Sequence, residues 1–473
     1  MNSNVRTDET PAPDSVPTHN ASRETSASLP LHTRILRFLS VARMVVTVYG
    51  GYKFLQIAGT VSGRSRRPRY YDRQHERSAR TVRATAIRLQ GLLIKACQFA
   101  GSRADVLPEA YVGILSQLHD QVPPRPFAEM RVWLERQLGK TVEECFAELD
   151  PVAIAAASLA QVHRGRLHDG TRVAVKIQYP DIDRIIAADL QNLAFFVRVL
   201  ARIERRFDLR ILLHEIRKYI PLELDFVNEA ANARQFAANF AGDDRIVFPV
   251  PIDAYTCRSV LTMNFIEGIK ISDVEGLRRA GIDKHEVAEL LTHTYIRQIL
   301  VHGFFHGDPH PGNLLVQPGP KLVILDLGLA KEFTPELRAG VIQLTLAIIA
   351  RDAHAVGEAF RELGFETRSG RDDTFLTLGE VFLGQALRAG KAYADLAMVE
   401  RVNRELMQAL RENPIVRASS DLLLVLRVMG LLSGIGKILD SKVDPMTAMI
   451  PFLAGSTHAV SGATPKSAGG QAA

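Results

Sequence analysis

Cysteine is scarce in this chain. Cys97, Cys145 and Cys257 are the only three, and they are far apart. No CxxC or Cys/His ligand spacing exists, which argues against a disulfide framework or a zinc site and for a reducing compartment. Long uncharged apolar runs are also missing. Residues 35–61 are broken by Arg37, Arg43 and Lys53, residues 422–432 by Arg427, and residues 446–455 by Pro451. Each is too short for the ~20 apolar residues of a spanning helix, so no transmembrane helix is expected. A signal peptide is not expected either. Residues 1–30 are polar and rich in Pro, Ser and Thr, which reads as a disordered tail, as does the stretch 456–473. His285-Glu286 and His293 lack the HExxH spacing of a metal site. Gly430…Gly436-Lys437 is one residue too long for a phosphate-binding loop, and Ile438 stands where Ser or Thr is needed. That segment reads instead as a helix with small residues at a crossing.

Acidic charge is nearly absent from residues 31–89, which hold thirteen Lys/Arg and two Asp/Glu in a chain of net charge +6. The basic excess is therefore local and points to an anionic partner for that segment. Between Arg64 and Arg88 aromatic interleaving is limited to Tyr70 and Tyr71, which disfavours nucleic acid. At ~100° per residue, Arg73, Arg77, Arg80, Arg88 and Lys95 fall within about 80° of one another. Val82, Ala86, Leu89 and Leu93 lie opposite, so one amphipathic helix is expected from Arg73 to Gln98. Its basic stripe fits an anionic membrane surface or a plain solvated face.

The chain is 473 residues long, with 47% hydrophobic and 23% charged residues, enough for about three domain-sized units. Residues 31–135 read as a helical extension, ended by the prolines of QVPPRPF. Residues 136–268 read as a β-rich lobe. A hairpin turns there at Asp169-Gly170, helices follow over 183–207 and 222–240, and a strand over 259–265. Residues 269–455 read as a helical lobe, with short strands at 314–316 and 322–325. The fold class expected is α+β: a two-lobed protein-kinase-like fold with an N-terminal helical extension.

Chemistry concentrates in His306-Gly-Asp308-Pro-His310-Pro-Gly-Asn313, followed by Asp326-Leu-Gly328 after an apolar strand. Phosphoryl transfer needs metal ions on the phosphate oxygens and a carboxylate near the attacking oxygen. Asp-x-x-x-x-Asn matches a kinase catalytic loop, and Asp-x-Gly the metal motif after it. Asp308 would then be the base or water-orienting carboxylate, and Asn313 and Asp326 would hold Mg²⁺. Upstream, Val173-Ala-Val-Lys176 supplies a strand lysine for the ATP phosphates, with Glu229 as its helix partner. Either motif alone is weak; their order makes the set specific. His306 and His310 are four apart, but Pro309 and Pro311 prevent the helix that would turn them into a metal pair.

These residues together resemble the UbiB (AarF-domain) family of atypical kinases, over roughly residues 85–440. Ala155-Ala156-Ala157-Ser158 resembles that family's alanine-rich nucleotide loop, Lys95-Ala-Cys97-Gln98 its KxGQ motif, and Glu223-x-Asp225 its ExD motif. Cys97 replaces the motif glycine, and Leu327 the Phe of ordinary kinases. The resemblance implies that the extension packs over the active site and that these motifs line the nucleotide site. It implies Mg²⁺-dependent ATP binding and hydrolysis rather than ordinary protein phosphorylation. It also implies a cytoplasmic enzyme at a membrane periphery, linked to isoprenoid quinone or lipid metabolism, with a lipid- or quinone-like ligand and possible protein partners. Lys95 and Gln98 are three apart on one helix face, so both are expected to point into the cleft, with Lys95 near Glu223 or Asp225. Two other readings remain open: a small-molecule phosphotransferase of the aminoglycoside- or choline-kinase type, and a catalytically silent lipid-binding scaffold.

Overall fold

The computed structural model describes residues 29–62, 68–101, 107–119, 123–203, 223–350, 352–370, 420–443 and 447–453, with isolated positions over 213–221 and 374–417. Of the expected tails at 1–30 and 456–473, residues 1–28 and 456–473 lie outside the described residues.

The N-terminal extension is helical: α1 (Leu31–Ser62), α2 (Pro68–Leu89), α3 (Leu92–Gly101) and α4 (Glu109–Leu115). The single helix expected over 73–98 is two helices. Gln90 (φ 52°) and Gly91 (φ 65°) both sit in the left-handed region, which ends α2. The break is held from α1. The Arg37 guanidinium donates to the Leu89 carbonyl (2.7 Å) and to both oxygens of Asp189 (2.8 and 2.5 Å). Asp189 lies on α7 (Ile182–Ile203), so one buried arginine ties α1, the end of α2 and α7 together. A side chain at Gly91 would meet Ile185 and Ile182.

The β-rich lobe is a four-stranded antiparallel sheet in the order β1 (Glu148–Ala156), β2 (Ala160–Arg166), β3 (Arg172–Gln178), β5 (Val260–Asn264). Strand β3 explains itself by alternation. Val173, Val175 and Ile177 are fully buried, in a core shared with Met130 and Leu134 of α5 (Phe127–Leu138). Lys176 therefore faces the other side of the sheet. The β2–β3 turn carries Gly170 at φ 87°. Strand β1 lacks a clean sequence signal because Pro151 and two register shifts interrupt it; a proline is tolerated there because β1 is an edge strand.

The stretch read as helix over 222–240 begins its helix, α8 (Phe226–Asn239), only at Phe226. The Asp225 carboxylate caps it, accepting from the Val227 and Asn228 amides (3.0 and 3.4 Å). In the second lobe, α10 (Lys284–Ile296) runs into a widened π-type turn, Arg297–His302, that ends at Gly303. A small mixed sheet, β4 (Ile246–Val247), β9 (Lys321–Ile324), β8 (Leu314–Gln317) and β6 (Ile269–Lys270), and the pair β7 (Phe304–His306) with β10 (Ala330–Glu332) carry the motif loops. Behind them lie α11 (Pro335–Ala350), α12 (Ala353–Glu362) and α13 (Ser420–Ile438), around a core that includes Tyr295, Phe305 and Val428. This region is not wholly helical: β11 (Glu366–Thr367) pairs with β12 (Ile415–Arg417). Gly430 and Gly434 lie on α13 as read, but on its exposed side with open space beside them, not at a helix crossing. Among the described residues no helix is long and apolar enough to cross a membrane.

The Arg37 pin can be tested by stability. Arg37→Met strands Asp189 in a site only 8% exposed, and removing one partner of a buried pair costs about 3–5 kcal/mol. The urea midpoint should fall accordingly, and Asp189→Leu in the same chain should recover most of the loss. Equal midpoints for Arg37→Met and wild type would show that the pin holds nothing.

Candidate nucleotide site

The site forms where β3, α8 and the segment after β9 converge. Lys176 projects from β3 to α8, and its ammonium donates to both oxygens of Glu229 (2.9 Å each) and to Asp326 Oδ1 (3.0 Å). It also lies 5.0 Å from the Phe226 ring centre. Glu229 is buried, whereas the Asp326 side chain is 47% exposed and open to a ligand. Burial raises the Asp326 carboxyl, but Lys176 and Lys95 outweigh it and hold the group at about 2. Burial pushes Glu229 up to about 7 against the pull of Lys176. Burial disfavours the charge on Lys176 too, but the Asp326 and Glu229 carboxylates win and raise it. An ammonium in contact with both carboxylate oxygens is a charged pair, so we treat Glu229 as ionised when Lys176 is in place.

The backbone around Asp326 is bent to present that carboxyl. Asp326 itself has φ 53°, a costly conformation for a non-glycine residue and one that persists only when neighbours enforce it. Three contacts do so. His306, fully buried, bonds the Asp326 carbonyl through Nε2 (3.1 Å) and Tyr295 Oη through Nδ1 (2.8 Å). The carbonyl can only accept, so Nε2 carries a proton. The Asn232 amide on α8 donates to the Leu327 carbonyl (2.9 Å). Leu327 buries its side chain in the core of the second lobe, filling the apolar role at that position. A side chain at Gly328 would come within 3.5 Å of Glu229.

The catalytic-type loop is anchored beside this bend. Gly307 donates to the Leu329 carbonyl (2.8 Å), and the His306 amide donates to Gln298 Oε1 (2.8 Å). Asn313 closes a short 3₁₀ turn, and its carbonyl accepts from the Leu325 amide (2.8 Å), one residue before Asp326. His310 accepts from the Gly312 amide (3.1 Å), a contact that forms the local turn. Asp326 and Asn313 thus offer hard oxygen donors on adjoining strand ends. One or two protein donors plus phosphate oxygens are how Mg²⁺ is ordinarily held, so these residues fit that ion.

The extension closes one side. The Lys95 ammonium pairs with Glu223 at 2.7 Å; the two side chains are 25% and 16% exposed. Burial lowers Lys95, yet Glu223, Asp308 and Asp326 together raise it, which places it within electrostatic reach of the cleft carboxylates. Burial pushes the Glu223 carboxyl up more than Lys95 lowers it. Gln98, expected to face the cleft, turns away: its amide is buried and donates to the Leu118 carbonyl (2.8 Å) inside the extension. Asp225, the alternative partner for Lys95, is occupied as the cap of α8. Cys97 packs with Ala86, Ile94, Leu115 and Leu118, and burial alone pushes its thiol up to about 12. The alanine loop is the tip of the β1–β2 hairpin: Ala155 and Ala156 end β1, and Ser158 is buried in the turn. Tyr179 Oη donates to the Ala157 carbonyl (3.2 Å), and Arg125 sits over the Tyr179 ring. The Gln161 side-chain amide bonds both the Arg125 amide (2.8 Å) and carbonyl (3.3 Å), so the proline-rich linker braces the loop.

Sequence reasoning missed Tyr295, Gln298 and Asn232. Asn232 stands three residues after Glu229, and that spacing was readable. Nothing marked Tyr295 or Gln298, which lie in an apolar helix and the π-type turn that continues it.

The family model described as "ABC1 atypical kinase-like domain" matches residues 117–360. "Protein ACTIVITY OF BC1 COMPLEX KINASE 8, chloroplastic" of Arabidopsis thaliana is 32% identical over 406 residues, covering 79% of this chain and 53% of that protein. The chain thus spans about half the length of that relative. A putative ABC1 protein of the same plant is 33% identical over 363 residues, covering 73% and 67%. AarF domain-containing protein kinase 1 of Xenopus tropicalis is 35% identical over 295 residues, covering 61% and 56%. Among solved structures, the complex of Rv3197 from Mycobacterium tuberculosis with erythromycin superposes with a TM-score of 0.53 at 25% identity, covering 74% of this chain and 89% of that one.

The Lys95–Glu223 pair carries a pH-dependent expectation. Lys95→Ala leaves Glu223 without its counter-ion, at a cost of up to about 3 kcal/mol while Glu223 stays charged. Protonation removes that cost. The loss in melting temperature should therefore be large at about pH 8 and shrink as Glu223 is protonated toward about pH 5, with Lys95→Arg near wild type throughout. A loss that does not change with pH would contradict the pairing.

Proposed function

Because the chain belongs to the ABC1 atypical kinase-like family, we propose that it binds ATP with Mg²⁺ in the cleft between its lobes and hydrolyses or transfers the terminal phosphate. The observation that carries this reading is the contact of one lysine, Lys176, with both Glu229 and Asp326. It is the alignment that phosphoryl transfer by a kinase fold requires. In this reading Lys176 supplies positive charge to the α- and β-phosphates and Glu229 holds it in place. Asn313 and Asp326 hold the metal ion, which when bound neutralises charge on the phosphate oxygens. Asp308 orients the attacking water or hydroxyl and accepts its proton. The hairpin tip 155–158 lies over the nucleotide and offers backbone in place of side chains.

Peptide phosphorylation is the weaker use of this site. Only Leu329–Phe333 separate Gly328 from the Thr334-Pro335 start of α11, and β10 ties part of that stretch to β7. Too little chain remains for a peptide-docking segment. We therefore favour an enzyme at the cytoplasmic periphery of a membrane, acting in isoprenoid quinone or other lipid metabolism. The exposed arginines Arg73 and Arg77 of α2 support an anionic surface as partner; Arg80 is half-satisfied by Glu76 at 2.5 Å. A small-molecule acceptor is the second reading, favoured by the erythromycin bound to the structural relative.

Three experiments test the proposal. Asp326→Asn should abolish Mg²⁺-dependent ATP binding in calorimetry, because it removes a hard oxygen ligand. Asp308→Asn should bind ATP nearly as wild type while turnover drops by about a hundredfold or more; wild-type turnover in that variant would end the assignment. For the membrane, Arg73→Gln with Arg77→Gln should weaken flotation with anionic liposomes in a salt-sensitive way, at ~1 kcal/mol per charge. Unchanged flotation would make the stripe a solvated face.

A further inference from the structure

Helix α1 has a face that nothing in the described structure covers. Leu31, Ile35, Leu39, Val46, Phe54 and Ile57 are 47–70% exposed. At ~100° per residue they fall within an arc of about 140°, while the buried Arg37 and Val41 lie opposite, toward α7 and α2. The stripe runs nearly the whole of a 32-residue helix, about 48 Å at 1.5 Å per residue. A monomer seldom leaves so long an apolar line in water.

The charge on the helix selects the occupant. Its 32 residues, LHTRILRFLSVARMVVTVYGGYKFLQIAGTVS, include no Asp or Glu. Arg43, exposed, and Lys53, half-exposed, lie within the arc of the stripe. Long basic side chains in that position can lift their charges to lipid headgroups while their stems stay in the apolar layer. The helix is not apolar enough to cross a membrane. A long helix with one apolar face, basic residues within that face whose stems can snorkel, and no acidic residue can lie in the plane of an anionic bilayer.

We propose that α1 is an interfacial helix, seated lengthwise in the surface of an anionic lipid bilayer with the Leu31–Ile57 stripe in the acyl boundary. This rests on the reading of a membrane-peripheral enzyme and deepens it. The basic face of α2 supplies long-range attraction, whereas α1 supplies apolar insertion. The cleft is on other elements, and insertion needs no catalysis.

The chain's single tryptophan, Trp133, makes the test direct. In the full chain with Trp133→Phe, Val46→Trp and Phe54→Trp place a probe on the stripe, and Val132→Trp, 68% exposed on α5, serves as the control. With vesicles of phosphatidylcholine and phosphatidylglycerol carrying brominated acyl chains, emission from 46 and 54 should shift to the blue and be quenched, and that from 132 should not. Leu39→Glu with Ile57→Glu should weaken vesicle binding by about tenfold or more, with lipid-free ATP turnover unchanged. The tryptophan probes keep the test decisive if the glutamate variant fails to fold. Probes that stay water-exposed on bound vesicles would overturn the proposal. So would a blue shift that follows protein concentration without lipid, which would assign the face to a second copy, or one that follows an added acidic protein. Insertion without ATP turnover would sink the enzymatic reading and leave this one standing; turnover without insertion would do the reverse.

Discussion

The contact of Lys176 with Glu229 and Asp326 is the constraint around which the rest of the structure is arranged. A lysine nearly removed from water must meet negative charge, or its desolvation is uncompensated. Each partner comes from a different element, so the charge cluster fixes three elements at once. Strand β3 supplies the lysine through plain alternation. Helix α8 supplies the glutamate one turn after its Asp225 cap. The segment after β9 supplies Asp326 only by adopting a left-handed backbone. That bend is maintained by His306 below it and Asn232 beside it. The buried Tyr295–His306 contact therefore reaches the cleft without touching it.

The extension adds a second layer with the same logic. Lys95 meets Glu223 at the edge of the cleft, where Asp308 and Asp326 add to its anchoring field. Its helix can stand there because α2 stops at Gln90-Gly91, and Arg37 holds that stop against α7. The linker at Arg125 braces the hairpin tip through Gln161 and Tyr179. Three separate contacts thus tie the N-terminal extension and its linker to the hairpin tip 155–158, the cleft edge and the lobe behind it. The extension is a structural part of the site, and a surface event on α1 has a packed route toward it.

Much of this was legible in the sequence because the informative residues are those whose chemistry leaves few alternatives. The order of Lys176, Glu229, Asp308, Asn313 and Asp326 marks a kinase-like fold, and the β2–β3 hairpin announces itself by Asp169-Gly170. What escaped was set by tertiary contact. Periodicity carried a helix through Gln90 because the break depends on Arg37, some fifty residues away. Gln98 shares a face with Lys95, but a buried carbonyl at Leu118 claimed it first. Asp225 looked like a cleft carboxylate, although the start of α8 needed a cap. Strand β1, bulged and at an edge, had no alternation to read.

Hydrogen–deuterium exchange with and without Mg²⁺ and ATP tests the central claim most directly, since it asks where nucleotide is felt without altering any residue. The account predicts slowed exchange at the hairpin tip 155–160, along 304–313 and across 325–329, with α13 (Ser420–Ile438) unaffected. Unchanged exchange in those three segments under saturating nucleotide, or protection confined to α13, would contradict it.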